Sequence, residues 1–481
     1  MKTEFDVIVV GGGGSGLSAA VSAAENGADV LILEKHVELG GATGIAVGSL
    51  TANRTQIQAK AGVIDSLDEH AEDAGKFAAP DIEALNNSEL RRWFLDQSAD
   101  TLHWLMAMGL NFYGPNPEPP NRVPRMHNVI PGAKAYITVL HARFIKLGGT
   151  VITKAPVLDL LVADGRITGV NARINGVESA FFAKKGVVLA AGDYANSPAL
   201  IARFKGEQFS KIEGISERAR GDGHLLAEKA GAKLTNMSVT YGPELRFIPI
   251  KKKTFQQLLP TRGPLSTLMG LIVPIMPQFL MNMMIKRLLV TWQHPENSLF
   301  DHGAILINQD GDRFCQETES PHREIEIANQ PGKIGYILLD RILTEKFSQW
   351  PNFISTAPKI GYAYVKDYLK LRSDVAVRGS SLVSIAQKRS LPMENLQKAY
   401  SESNLGDGPW VLLGPVKAYF TTTEGGVVIN QNFQALDHAG DPIPGLFAIG
   451  QNGLGGQILW GHGLHIAWAM TSGRLVGKQF A

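Results

Sequence analysis

At 481 residues, the chain is long enough to fold as two or three domains, each with its own hydrophobic core. Its 47 Lys and Arg residues and 45 Asp and Glu residues leave a formal net charge of +2, and no basic block indicates a nucleic-acid partner. Cys315 is the only cysteine, so an intramolecular disulfide is excluded and a reducing compartment is favoured. The first predicted strand begins at residue 6 without a preceding signal-peptide pattern, and we therefore expect a cytoplasmic protein.

A glycine-rich run follows the first predicted strand, residues 6–10, and leads into an Ala-rich helix. Gly11, Gly13 and Gly16 form a G-x-G-x-x-G pattern, which permits a tight turn, close approach of a pyrophosphate and close helix packing. A second predicted strand ends at Glu34, about 20 residues further on, where a carboxylate accepts hydrogen bonds from a ribose diol. The pattern predicts a dinucleotide site that includes Gly11, Gly13, Gly14, Ser15, Gly16 and Glu34.

The loop after Glu34 consists largely of small residues. Small side chains leave room for a bulky cofactor that passes over the backbone, which favours FAD over NAD. An ordinary glycine-rich loop of a nicotinamide enzyme is the alternative. The cofactor contacts predicted from this loop are Lys35, Gly40, Gly41, Ala42, Thr43 and Gly44.

Helices and short strands alternate over the next part of the chain. Apolar residues at helical spacing predict a helix over residues 88–108, a Pro-rich loop follows over residues 115–124, and a second helix is predicted over residues 133–147. The turn Asp164-Gly165 predicts a hairpin within a run of short strands, residues 150–154, 157–162, 169–174 and 186–191. The last strand is expected to return to the main sheet, and the predicted cofactor contacts here are Val157, Ala191 and Gly192.

The pattern loosens after a predicted helix that begins at Gly221, with Asp222 as a further expected cofactor contact. We predict a cap or substrate domain over residues 236–413, inserted into a cofactor domain formed by residues 1–235 and 414–481. The predicted fold class is α/β with an α+β cap, in which the Rossmann-like FAD-binding domain comes in two sequence pieces.

The segment from residue 264 to residue 285 contains no charged residue. Its length approaches that of a membrane span, but Pro274 and Pro277 are expected to break a helix there. Apolar surface beside cationic side chains favours peripheral contact with anionic lipid, whereas a Met-rich lining of the cap core or substrate cleft is the alternative. Both interpretations favour an apolar substrate. The basic flanks are Lys251, Lys252, Lys253, Arg262, Lys286 and Arg287.

The C-terminal segment is predicted to complete the site. A short strand over residues 446–449 ends at Gly450 and Gln451, and a helix is predicted over residues 464–476. Its N-terminus, with Leu464 and His465, is expected to lie under the flavin, where the helix dipole stabilises the anion formed on reduction.

These segments resemble the FAD-dependent oxidoreductases of the fumarate reductase/succinate dehydrogenase flavoprotein group, which includes the 3-ketosteroid dehydrogenases. The resemblance covers most of the chain and implies FAD and a cap that closes over the flavin. Because no histidine lies in the GGATG region, where some members hold FAD covalently, we expect noncovalent FAD. The motifs are VIVVGGGGSGLSAA, LEK with GGATG, VVLAAG, GDGHLLAEKAGA, GAILINQDGDRFCQE, and IPGLFAIGQNGLGG with AMTSGRLVG.

The resemblance to the fumarate reductase-like branch is incomplete. Arginines and histidines hold the substrate carboxylates in that branch. In this chain Thr422-Thr423 occupies the position of the branch's His-Thr pair, and Trp460 or its neighbour occupies the position of its second arginine. A buried dianion needs matched cationic partners, so a dicarboxylate is disfavoured, although Arg323 keeps that alternative open.

The ketosteroid dehydrogenase-like branch fits better. Its Pro-Tyr pair, whose Tyr abstracts a proton beside a ketone, corresponds here to Pro321-His322, which makes His322 the candidate general base. Gly463 fits the backbone N–H that polarises the ketone oxygen. The second donor of that branch is a Tyr, which is replaced in this chain. The candidates to supply the missing donor are His462, Tyr419 and, less favoured, His465. Trp460 is expected to form an apolar wall.

We therefore expect an FAD-dependent dehydrogenase that introduces, or in reverse reduces, a C=C bond α,β to a ketone on an apolar cyclic substrate. A 3-ketosteroid is the leading substrate class and a smaller alicyclic ketone is next. The alternatives are a reductase of an unsaturated carboxylate and an electron-transfer flavoprotein subunit docked on a membrane partner. The electron acceptor is not indicated, and no Cys/His spacing predicts a metal site.

Overall fold

The computed structural model describes residues 2–249, 258–292, 294–357 and 360–481. The first part of the chain alternates strands and helices. In chain order its elements are β1 (Glu4–Val10), α1 (Gly14–Glu25), β2 (Val30–Leu33), β3 (Ser49–Thr51), α2 (Gln56–Lys60), α3 (Leu67–Ala74), α4 (Pro80–Glu83), α5 (Ser88–Asp96), α6 (Ser98–Ala107), β4 (Asn111–Asn116), β5 (Met126–Ile130), α7 (Lys134–Lys146), β6 (Thr150–Ile152), β7 (Val157–Ala163), β8 (Arg166–Ile174) and β9 (Val177–Leu189).

The middle part contains shorter elements. They are α8 (Pro198–Phe204), β10 (Glu213–Gly214), α9 (Asp222–Lys229), β11 (Leu234–Thr235), β12 (Thr240–Tyr241), β13 (Glu244–Phe247), α10 (Pro264–Ile272), α11 (Gln278–Trp292), α12 (Ser298–Asp301), β14 (Ile305–Ile307), α13 (His322–Asn329), β15 (Gly335–Leu339), α14 (Arg341–Lys346), β16 (Ser355–Ala357), β17 (Gly361–Ala363), α15 (Val365–Leu371), β18 (Ala376–Gly379), α16 (Leu382–Arg389), α17 (Met393–Ser401) and β19 (Trp410–Phe420).

The last part returns to the first sheet. Its elements are β20 (Thr422–Thr423), β21 (Gly426–Val427), β22 (Gln434–Leu436), β23 (Pro442–Ala448) and α18 (Leu464–Lys478).

The main sheet collects strands from both ends of the chain, in the order β22-β23-β9-β1-β2-β6. Strand β1 pairs in parallel with β2, where Val7 faces Val30, and with β9, where Val9 faces Val188. Strand β23 joins the other edge of β9 in parallel. Because β1 and β2 are buried along most of their length, their Val- and Ile-rich sequences suit a sheet covered on both faces. The α/β class and the cofactor domain in two sequence pieces are confirmed.

Strand β9 belongs to two pairings, as its sequence predicts for the strand that returns to the main sheet. Its first half pairs antiparallel with β8, and its second half lies between β1 and β23. The predicted hairpin turn joins β7 to β8, and both of its residues, Asp164 (φ 50°) and Gly165 (φ 72°), have the positive φ of a type I′ turn. The helix predicted over residues 88–108 is instead two helices, α5 and α6, separated at Gln97.

The middle part forms the cap, built on a second sheet in the order β10-β19-β15-β14, with β13 and β18 also paired to β19. Its apolar core draws on residues from Tyr194 to Phe420, whereas the core under the main sheet combines residues from both ends of the chain. The division of the chain at residues 235/236 and 413/414 stays a prediction, although position 413/414 lies inside β19.

The uncharged segment is broken at its prolines, as predicted. Helix α10 ends at Ile272, a 3-10 turn covers Val273–Ile275, and α11 begins at Gln278. Within the described part of the chain, no helix has the length and apolar character needed to cross a bilayer. The basic residues Lys251–Lys253, predicted to flank the uncharged segment, lie outside the described residues.

Helices α1 and α18 pack closely through two glycines of α18. A Cβ atom on Gly473 would lie 2.4 Å from the backbone oxygen of Ser15, and one on Gly477 would lie 2.6 Å from that of Ala19. The hydroxyl of Ser22 donates to the carbonyl oxygen of Arg474 at 2.7 Å, which adds a polar contact to this interface. The last helix is therefore fixed against the helix that follows the glycine-rich loop.

We predict that Gly473→Ala destabilises the protein, although alanine favours helices over glycine by about 1 kcal/mol. The new methyl group would meet the backbone of Ser15 and Ala19 and the Cβ atom of Ser18, so the free energy of unfolding should fall by about 1–3 kcal/mol in a urea titration followed by circular dichroism. Lys478→Ala, at the exposed end of the same helix, is the control and should change that free energy by less than about 0.5 kcal/mol. Equal stability of both variants would contradict the close packing.

Candidate functional site

A cavity opens at the carboxyl ends of β1, β2 and β9, beside the N-terminus of α1. Most of the predicted cofactor residues line it. They are Gly11, Gly13, Gly14, Ser15, Glu34, Lys35, Gly41, Ala42, Thr43, Val157, Ala191, Gly192, Asp222 and Gln451.

Six predicted cofactor residues do not line this cavity: Gly16, Gly40, Gly44, Gly450, Leu464 and His465. The glycines among them shape its wall instead. A Cβ atom on Gly16 would lie 1.9 Å from the backbone oxygen of Gly11, and one on Gly450 would lie 2.6 Å from the hydroxyl of Ser15. Gly40 forms a β-bridge with Gly13, and the N–H of Gly44 donates to the carbonyl of Gly40.

Other residues of the lining were not predicted. His36 directly follows Glu34-Lys35, so its place in the sequence was a usable signal. Ser216 and Arg218 come from the turn before α9, and no local pattern marked them. The remaining unpredicted residues are Val10, Leu33, Ala155, Ala190, Asp193, Ala219, Leu226 and Ala469.

The cavity fits a dinucleotide. The N-cap residue of α1, Gly13, makes no side-chain cap, so the first N–H groups of the helix are free to donate to a phosphate. The Glu34 carboxylate is fixed by the N–H groups of Gly12 (2.9 Å) and His36 (2.8 Å) and keeps lone pairs for a ribose diol. At the other end, Oε1 of Gln451 is buried without a hydrogen-bond partner among the described residues. A ligand hydroxyl or N–H would satisfy it.

Beyond Gln451 the loop 460–463 lies before α18, at the junction between the main-sheet domain and the cap. Gly463 adopts the left-handed conformation (φ 94°) that begins the helix. The hydroxyl of Thr51 donates to the carbonyl of His462 at 2.6 Å, which ties the loop to β3. The first N–H groups of α18 have no side-chain cap.

His462 is held by Glu118, which comes from the Pro-rich loop after β4. Both the backbone N–H (2.7 Å) and Nδ1 (2.5 Å) of His462 donate to the same oxygen of Glu118. The Glu118 side chain is 5% exposed, whereas that of His462 is 60% exposed. The hydrogen bond and charge of Glu118 outweigh burial and raise the pKa of His462. The raised pKa favours the protonated form of the His462 imidazole, and Nε2 is left over for another partner.

A second histidine–carboxylate pair lies at the start of α18. His465 contacts buried Glu424 at 2.8 Å, and the other Glu424 oxygen accepts the N–H of Leu459 at 3.1 Å. Burial lowers the pKa of His465, but the charge and hydrogen bond of Glu424 outweigh it, so the net shift is upward. Nearby, burial raises the pKa of the Asp193 carboxyl, which accepts the Thr422 hydroxyl at 2.6 Å. The predicted role of His465 as a carbonyl donor would require it to leave Glu424.

The cap faces this loop with aromatic and paired charged side chains. The Tyr241 ring packs against that of Trp460, with centroids 5.2 Å apart, and burial raises the Tyr241 pKa to about 12. Arg246 forms an ion pair with Glu244 at 2.5 Å. The charges of Arg246 and Glu244 both act on the pKa of His462, which places this pair near the imidazole.

Tyr419 lies on β19 opposite Glu244, so the structure places it beside the same ion pair. Burial raises its pKa to about 12, and the charge of Arg246 also acts on it. Of the predicted catalytic residues, His462 and Gly463 therefore meet at the loop before α18, and Tyr419 lies on the cap strand that adjoins them.

The other two predicted residues lie elsewhere. His322 is exposed at the first residue of α13 and makes no hydrogen bond within the described residues. Arg323 is buried, where it pairs with Glu324, donates to the carbonyl of Glu317 at 2.9 Å and contacts the amide of Asn297 at 2.8 Å. The structure thus gives Arg323 a place in the cap core, where its donors are engaged within the protein, and does not bring His322 to the cavity.

Three site residues were missed in the sequence. Glu118 lies in the Pro-rich loop, Tyr241 carries no motif, and Glu424 stands beside Gly425 without a pattern that marks it as a site residue. Across the described part of the chain, no group of three or more His, Cys, Asp and Glu side chains is placed to hold a metal ion.

Comparisons with known proteins agree with this architecture. The family model of the FAD binding domain matches residues 6–259 and 272–458. The chain is 26% identical to the fumarate reductase (cytochrome) of Shewanella frigidimarina, covering 99% of this chain and 77% of that protein. It is 25% identical to the vinyl phenol reductase of Lactiplantibacillus plantarum, covering 99% and 96%.

Two solved structures share the fold. A flavocytochrome c3 fumarate reductase in its open conformation superposes with a TM-score of 0.74 at 24% identity, covering 100% of this chain and 78% of that one. The 3-ketosteroid-Δ4-(5α)-dehydrogenase from Rhodococcus jostii RHA1 superposes with a TM-score of 0.61 at 21% identity, covering 100% and 97%.

We predict that Arg323→Gln destabilises the protein, because it leaves the Glu324 carboxylate buried without its partner. The free energy of unfolding should fall by about 3–5 kcal/mol. His322→Gln, one residue away on the exposed face, is the control and should change it by less than about 0.5 kcal/mol in the same urea titration. A folded Arg323→Gln protein of wild-type stability that has lost activity would instead favour a substrate role for Arg323.

Proposed function

Because the chain belongs to the FAD binding domain family, we propose that it transfers hydride between FAD and a carbon–carbon bond conjugated to the carbonyl group of a neutral, apolar cyclic substrate. FAD is the cofactor, and the protein is an FAD-dependent oxidoreductase that acts on carbon–carbon bonds, like its fumarate and urocanate reductase relatives. The substrate class, the direction and the residue roles below are the proposal.

The pairing of charged side chains at the junction is the observation that favours a neutral substrate. Arg246 is paired with Glu244, His462 with Glu118 and His465 with Glu424. A bound dicarboxylate would need cations whose charge is not already balanced, and would also lie near these carboxylates. The described part of the site is therefore suited to a ligand without net charge.

The aromatic surface favours an apolar ring. Trp460 and Tyr241 present two rings in contact, one from each domain, and the flat face of an alicyclic or aromatic substrate would pack against them. A 3-ketosteroid remains the first substrate class and a smaller cyclic enone the second. The relative that acts on vinyl phenols, which are small, neutral and cyclic, supports the smaller class.

The residues that hold FAD are those of the cavity. The free N–H groups of α1 would bind the pyrophosphate, Glu34 the ribose diol and Gln451 the polar chain leading to the flavin. When bound, FAD supplies the atom, N5, that accepts or donates the hydride. The loop around Gly41–Gly44 contains no histidine, so attachment there is noncovalent.

His462 is the proton donor in this proposal, in place of His322. Because Glu118 raises its pKa, the protonated form of His462 is favoured, which suits reduction better than desaturation. In reduction the β-carbon of the substrate receives hydride and its α-carbon receives the proton from Nε2 of His462. Glu118 keeps the ring oriented through Nδ1 and stabilises its charged form.

Tyrosine hydroxyls can polarise the carbonyl oxygen. Tyr241 and Tyr419 both have a pKa near 12, so each stays a neutral donor over the physiological range. Tyr241 is favoured because its ring already touches Trp460, and the N–H of Gly463 at the start of α18 is the second donor. Together they would stabilise the negative charge that develops on oxygen as hydride arrives.

The test is reoxidation of the reduced protein under anaerobic conditions, followed by flavin absorbance. We expect 2-cyclohexenone or a 4-ene-3-ketosteroid to reoxidise the flavin at least about 100-fold faster than fumarate. Burying one unpaired charge of fumarate would cost about 3 kcal/mol, which corresponds to a factor of about 100. His462→Gln should slow this step by about 10²–10⁴-fold. His438→Gln, at an exposed site, is the matched control and should have wild-type rates.

Fast reoxidation by fumarate with none by either ketone would contradict the neutral substrate. It would favour the second candidate, a reductase of an unsaturated carboxylate, which the similarity to fumarate reductases supports. An unaffected His462→Gln protein would leave the substrate class standing and remove the role given to His462.

A further inference from the structure

An exposed apolar surface lies on α10, the 3-10 turn after it and the first half of α11. Its members are large apolar side chains that are between 41% and 80% exposed: Leu265, Leu268, Leu271, Ile272, Ile275, Phe279, Met283 and Met284. We call these eight side chains the apolar surface. The sequence left open whether this segment lines a core or cleft, and the exposure of these side chains disfavours a core lining.

The spacing of these residues places them together. Leu265, Leu268 and Leu271 recur every three residues along α10, and Phe279 and Met283 are four residues apart on α11, so each set shares a helix face. Ile275, 80% exposed, lies in the turn that joins the two helices. A monomeric protein in water rarely exposes so many large apolar side chains in one place.

The base of the segment is attached to both domains. The Thr261 hydroxyl bonds that of Thr138 on α7 at 2.9 Å, and Gly270 packs against Asn111 of β4. On the cap side, Lys286 is 3.3 Å from Asp367, and Ile285 packs against Gly361. The apolar surface is therefore carried by anchored helices, and β4 leads within two residues to Glu118.

The Lys and Arg residues of this stretch of sequence have no acidic residue among them. From residue 251 to residue 295 the sequence contains six Lys and Arg residues and no Asp or Glu. Arg262 and Arg287 are exposed on either side of the apolar surface, whereas Lys286 is paired with Asp367. Large apolar side chains with a cationic border match the acyl chains and anionic headgroups of one bilayer leaflet.

We propose that the apolar surface binds the protein peripherally to an anionic membrane, with Ile275 and Phe279 inserted among the acyl chains. The helices are too short and too interrupted to cross the bilayer, so the contact is with one leaflet. The membrane contact stands independently of the substrate proposed above.

The experiment is co-sedimentation of the FAD-loaded protein with vesicles of phosphatidylcholine alone or with 30% phosphatidylglycerol. We expect binding to the anionic vesicles, at least tenfold weaker binding to the neutral ones, and a further decrease at 0.5 M NaCl. Ile275→Glu with Phe279→Glu should weaken binding to the anionic vesicles at least tenfold. Val162→Glu, at a side chain 63% exposed on β7, is the control and should bind like the wild type.

A second measurement tests insertion directly. Because Cys315 is the only cysteine, Cys315→Ser with Met283→Cys gives one site for an environment-sensitive dye. Its emission should shift to the blue with anionic vesicles and be quenched by nitroxide groups on the acyl chains. Absence of vesicle binding, equal binding to neutral vesicles, or a dimer that the Ile275 and Phe279 substitutions dissociate would each overturn the proposal.

Discussion

The close contact between α1 and α18 is the constraint on which the site depends. Gly473 and Gly477 let the last helix approach the backbone of α1 so closely that no side chain fits between them. That contact fixes α18, which contributes Ala469 to the cavity that the glycine-rich loop begins. The loop 460–463, which precedes α18, is thereby delivered to the junction with the cap, where Thr51 and Glu118 hold His462.

The junction combines charges so that they cancel. Three carboxylates, Glu118, Glu244 and Glu424, come from three different parts of the chain, and each is paired with a basic side chain; Glu244 also lies 3.7 Å from Nδ1 of His294. Pairing of this kind keeps a histidine protonated without building the positive field that a dicarboxylate requires. A fumarate reductase and a 3-ketosteroid dehydrogenase share this fold, so architecture alone does not decide the substrate. In the proposal, the pairing of these charges is what favours a neutral substrate over a charged one.

Local backbone requirements could be predicted from the sequence. The glycines of the cradle, Glu34 at the end of β2 and the Asp164-Gly165 turn are each dictated by neighbours within a few residues, and the structure has them as expected. The partners of His462 could not be predicted in this way. Glu118 is 344 residues distant in the chain, and only the packing of the domains brings them together.

Motif analogy also has a physical limit. The family resemblance suggested His322 and Arg323, but the register of α13 turns His322 to solvent and Arg323 into the cap core. The uncharged segment shows the same limit, because its sequence fits burial and exposure equally and packing decides between them.

The most direct test of the central claim is the pH dependence of flavin reoxidation by a cyclic enone in the wild type and in Glu118→Gln. In the proposed reduction protonated His462 donates the proton, so the wild-type rate should be highest at low pH and fall as pH rises through its raised pKa. Loss of the carboxylate charge should move that fall to lower pH. Glu394→Gln, at an exposed site on the cap, should leave the profile unchanged. An identical profile in Glu118→Gln and the wild type would contradict the account.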